Sequence, residues 1–106
     1  MISFERAEKA LEYRISTDSE VGRLKAYYEK MSDHKKVILS ELFNSTTGTN
    51  AERTHKALAS DEYKEQLEAV EEAHRQFERV RAKRDTADLL IQMWRSYNSA
   101  VKKGNV

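Results

Sequence analysis

The sequence predicts an all-α fold: a long antiparallel helical hairpin of coiled-coil character, with a short helix near the tip and a break in the first arm. Three features of the chain lead to it. There is no proline, the strongest helix breaker. Glycines occur only at Gly22, Gly48 and Gly104, each alone, and two of them fall where a helix should already have ended. Apolar residues recur at alternating steps of three and four, the spacing that gathers them on one side of a helix.

Ser3 is placed to cap a first helix over about 4–15, with Phe4, Ala7 and Leu11 on one stripe. Thr17-Asp18-Ser19-Glu20 has the form of a capping box, so a second helix is expected over 18–43. The interruption at 16–19 fits either a kink or a corner. Beyond it the seam reads Val21, Leu24, Tyr28, Met31, Lys35, Ile38 and Leu42. Asn44 to Asn50 is rich in turn formers with nothing to bury and reads as the loop at the tip. Thr49 to Glu52 offers another capping box, for a short helix over 51–59 that sets Ala51, His55 and Leu58 on one side. From Ser60 one helix is expected over 61–102, about 60 Å long at 1.5 Å per residue. Its seam is Tyr63, Val70, Phe77, Arg84, Ile91 and Asn98, joined by Ala73, Val80, Ala87, Trp94 and Val101. Antiparallel pairing then sets Met31 near Ala73, Val21 near Arg84, and the first segment beside Ala87 to Val101.

With 106 residues, 39% hydrophobic and 35% charged, the chain is sized for a single domain, 1–106, on the polar side of globular proteins. Two helices side by side bury only a seam, so the core is expected to be completed by a second copy or by a protein partner. A homo-oligomer is the default. A net charge of +1 gives no overall attraction to polyanions. The lack of cysteine suits a reducing interior, and the opening residues carry charges rather than a signal peptide's apolar run. Nothing approaches the roughly 20 apolar residues of a membrane span, so a cytoplasmic protein without a membrane partner is expected.

No catalytic, cofactor-binding or metal-ligating set emerges. His34, His55 and His74 each lack a second histidine or a cysteine at helical metal-site spacing. The carboxylates of Asp61, Glu62, Glu65, Glu68, Glu71 and Glu72 are accounted for by pairing along the helix. Phosphate-binding glycine loops and nucleophile-elbow motifs are missing. The chain reads as a non-enzyme without cofactors.

Charge along the last helix is segregated. Asp61 to Glu72 holds six acids and one lysine, whereas Arg75, Arg79, Arg81, Lys83, Arg84, Arg95, Lys102 and Lys103 outweigh the three acids that follow. The cluster from Arg75 to Arg84 lies too far from the helix end for the dipole to explain it. It is either a solvated face paired with carboxylates or a contact surface for an anion such as nucleic acid. Arg84 falls on the apolar seam and calls for a carboxylate, for which Glu20 is in reach. Lys35 and Asn98 also interrupt the seam, as register-setting polar residues or at a splayed edge. Tyr28, Met31, Phe77, Ile91, Trp94 and Tyr97 read as core and interface anchors, with base stacking on the aromatics as the less economical alternative.

The stretch from Arg81-Ala82-Lys83-Arg84 through Trp94-Arg95-Ser96 to Lys102-Lys103-Gly104, with Thr17-Asp18 and the Ser60 and Tyr63 pair, resembles a group of small uncharacterised helical proteins of bacteriophages and prophages. These are often encoded among early or DNA-recombination genes. The resemblance implies the cytoplasm of a bacterial host and an accessory, non-enzymatic role in DNA metabolism through protein contact and single-stranded DNA. A structural or scaffolding oligomerisation module is the alternative. Ala100 to Gly104 stands where the group would have a more arginine-rich tail.

Overall fold

A computed structural model describes residues 2–104. These form α1 (Phe4–Asn44), α2 (Asn50–Ala59) and α3 (Asp61–Lys102), with no strand among the described residues. The all-α helical hairpin predicted by the sequence is the fold observed. By internal contacts the chain divides into a terminal unit, Met1–Gly22 with Glu78–Val106, and a tip unit, Arg23–Phe77.

In the tip unit the ring of Tyr28 stacks on Phe77, with centroids 6.4 Å apart, and tilts against His74 at 4.8 Å. Gln66 Nε2 donates to the carbonyl of Met31 at 3.0 Å. Later residues of α1 thus meet earlier residues of α3, as an antiparallel pair requires. Leu24, Gln66 and Ala73 are buried, while Met31, Lys35, Ile38 and Leu42 are half-buried. The side chain that reaches Met31 comes from Gln66, two turns before the Ala73 expected there.

The end of α1 is closed from outside, since it has no basic residue in its last turn. The hydroxyls of Ser45 and Thr46 both donate to the Leu42 carbonyl, at 3.1 and 2.6 Å. Arg53 Nε of α2 donates to the Phe43 carbonyl at 3.0 Å, with its guanidinium 4.2 Å above the Phe43 ring. This inward turn of Arg53 orients α2: Ala57, one turn on, is its buried residue, and the expected inner face of Ala51, His55 and Leu58 is exposed instead. Thr49 Oγ1 accepts from the Glu52 amide at 3.2 Å, as predicted. Ser60 Oγ accepts from the Tyr63 amide at 3.2 Å and donates to the Ala57 carbonyl at 2.7 Å, so one hydroxyl ends α2 and starts α3.

In the terminal unit Ser3 Oγ accepts from the Arg6 amide at 3.2 Å, the predicted cap. The predicted break is not there: α1 runs through 16–19 as one helix of 41 residues. The hydroxyls of Ser16 and Thr17 both donate back to the Tyr13 carbonyl, at 3.0 and 2.7 Å, so Thr17 caps nothing. The physical reason is phase. Ala7, Ala10, Arg14, Thr17, Val21 and Leu24 keep the alternation of three and four, and all of them are buried or half-buried. Leu11, assigned to the seam by the sequence, lies outside it and is exposed, whereas Phe4, also largely exposed, still meets Trp94 of α3, within the 87–101 segment expected beside it.

Gly48 has φ 121°, and a Cβ there would collide with the Glu52 carboxylate. Gly48→Ala is expected to lower stability by about 1–2 kcal/mol, read from the shift of the urea midpoint at unchanged slope.

Candidate interaction surface

The best-defined polar feature lies inside the terminal unit. Arg84 is 7% exposed and spends its guanidinium within the chain. Its Nη1 donates to the Arg14 carbonyl at 2.9 Å and to Thr17 Oγ1 at 2.6 Å, and its Nη2 to Asp18 Oδ1 at 2.6 Å. Thr17 passes its own hydrogen to Tyr13, and Arg14 Nε pairs with Asp88 Oδ1 at 3.0 Å. Among the described residues no buried side-chain nitrogen or oxygen lacks a partner. The carboxylate that answers Arg84 is Asp18, not Glu20. Two residues are 200° apart around a helix, which puts Glu20 on the opposite edge of α1. Arg84 is therefore removed from the set of residues available to an external anion.

The other basic residues do not make one stripe. Arg75, in the tip unit, bonds Glu72 Oε2 through Nε at 3.1 Å and Nη2 at 2.8 Å. That hydrogen bond, with the charge of Glu72, raises the Arg75 pKa above its ordinary value. Arg81 Nη2 lies 2.9 Å from Glu78 Oε2. Both are pairs within one helix, exposed except for half-buried Glu78, and of small energetic weight. Arg79, Lys83, Arg95, Lys102 and Lys103 are exposed. Helical rotation puts Arg79 and Lys83 on one flank of α3, and Arg81 and Arg95 on the other. Tyr28, Met31, Phe77, Ile91, Trp94 and Tyr97 are all half-buried, and Trp94 packs on Phe4 within the chain with centroids 5.6 Å apart.

Sequence reasoning missed the two flanks of the terminal unit. On one, α1 presents Phe4, Leu11 and Ile15 with 62%, 50% and 67% of their surface exposed. Glu8, Glu12 and Asp18 stand on the same side, again exposed. On the other, a groove of about 470 Å³ runs between α1 and α3, floored by Ala10, Tyr13, Ala82, Ala87 and Leu90 and rimmed by Arg6, Lys9 and Lys83. The signal was present in the sequence, because extending the Val21 and Leu24 phase backwards passes through Ala10 and Ala7 and turns Phe4, Leu11 and Ile15 outwards.

Among the described residues no three histidine or acidic side chains gather as a metal site, and no helix is long and apolar enough to cross a membrane. No family model, curated protein or solved structure matches the chain.

Breaking the Arg84 knot from either end has unequal cost. Arg84→Ala leaves buried Thr17 and the Arg14 carbonyl without their donor and opens a void, for an expected loss of about 2–4 kcal/mol. Asp18→Ala removes a partner whose side chain is 64% exposed, and is expected to cost under about 1 kcal/mol. Chemical denaturation of both variants checks the contrast.

Proposed function

We propose that the chain is a non-enzymatic structural module that works by associating through its helix faces, with further copies of itself first. The observation that carries this reading is the shortfall of burial: among the described residues no large side chain is fully buried, and nine large hydrophobic residues from Phe4 to Val101 are exposed. Scattered exposed apolar residues are ordinary, but here Phe4, Leu11 and Ile15 share one helix side and Leu89 and Met93 another. Burying such stripes is what a helical oligomer does.

The second reading, an accessory protein of DNA metabolism in a phage setting, rests on the resemblance of the last helix to small phage proteins. The exposed positions of Arg79, Lys83, Arg95, Lys102 and Lys103 favour it. The burial of Arg84 in its internal knot counts against it, since a guanidinium committed within the chain releases no counterions from a nucleic acid.

Size-exclusion chromatography with light scattering, with and without a short single-stranded DNA at low and high salt, separates the two. The expected result is a mass that is a multiple of 12.3 kDa at micromolar chain and is unmoved by DNA. A DNA-dependent shift that vanishes at high salt reverses the order of the two readings.

A further inference from the structure

The two flanks of the terminal unit differ in charge as well as in shape. From Asp18 round to Glu5, the outward side of α1 carries Leu11 and Ile15, and Phe4 beside Trp94, with Glu8 and Glu12 next to them; α1 itself puts no cation there, and the cations of that flank are Arg81 and Arg95 of α3. The groove on the far flank has a largely apolar floor and is bordered by Arg6, Lys9, Lys83 and Thr86, with no acidic residue in its lining. Lys9 lies 3.4 Å from Glu5, but both side chains are more than two-thirds exposed and the pair is easily exchanged.

We propose that these two surfaces are the two halves of one interface, and that the acidic apolar stripe of one copy seats in the basic groove of the next. The inference rests on the self-association reading above and specifies its geometry. Leu11 and Ile15 project from successive turns of one helix, and Arg6 to Tyr13 and Lys83 to Leu90 each span two turns, about 10 Å. A helix laid along the groove therefore places two apolar side chains on the floor while its acids face the rim cations. Charge complementarity is what selects a second copy as the occupant: the stripe offers carboxylates where the groove offers ammonium and guanidinium groups. Each copy still has a groove free when its stripe is engaged, so the contact is head-to-tail and generates a ring or a filament rather than a twofold dimer.

Lys83 and Glu8 are both exposed, and neither takes part in the Arg84 knot, so reversing them spares the fold, as unchanged circular dichroism checks. Lys83→Glu and Glu8→Lys are each expected to raise the concentration at half-association about tenfold or more, because each confronts like charges. An equimolar mixture of the two variants is expected to recover wild-type assembly, since every groove then meets a stripe of opposite sign. Association that ignores both reversals, or a mixture that does not recover, overturns the inference while leaving self-association through another face. A wild-type chain that stays monomeric up to hundreds of micromolar overturns both.

Discussion

Two paired helices can shield only the stripe along which they touch, and every feature of this chain follows from how that stripe is used. The seam positions of α1 and α3 alternate at three and four residues without interruption through each helix. Residues one step off that phase are at best half-buried, as Tyr13, Leu90 and Tyr97 are, and Leu11 and Ile15 are exposed. Ala7, Ala10 and Ala87 let the arms approach in the terminal unit but contribute little apolar surface of their own.

Arg84 is the exception that fixes register. A guanidinium in an apolar seam is tolerated only where several acceptors converge, and the Arg14 carbonyl, the Thr17 hydroxyl and the Asp18 carboxylate do so at one place along α1. A slip of one heptad would put Ala10 or Leu24 in the place of Thr17 and Leu11 or Lys25 in the place of Asp18, none of which offers a side-chain acceptor. Gln66 bonded to the Met31 carbonyl makes a similar, weaker demand in the tip unit.

Much of the fold was legible in the sequence because its signals are local. The caps at Ser3, Thr49 and Ser60 each act within one turn, and the seam of α3 repeats often enough to be read directly. The break at 16–19 was misread because Thr17-Asp18-Ser19-Glu20 has the composition of a cap, while the partner that draws Thr17 inward is Arg84, 67 residues away. The inner face of α2 was misread for a like reason. An arginine looks like a surface residue until the Phe43 carbonyl and ring are there to receive it. The interaction surface was the least legible, because a one-residue error in phase carries Phe4 and Leu11 from outside to inside.

The spacing of the contacts along the chain also bears on the order in which they form. Within the tip unit the bond from Arg53 to Phe43 closes 10 residues and that from Gln66 to Met31 closes 35. In the terminal unit the Arg84 bonds close 66 to 70 residues. Loop-closure entropy favours the short loops, so contacts near the bend are expected to form before the Arg84 bonds of the terminal unit. During synthesis most of α1 emerges before any of its partner arm exists, and its seam residues Ala7, Ala10, Val21 and Leu24 are then unshielded as well. An exposed face of that kind is open to capture by neighbouring chains on the same message before the hairpin has closed.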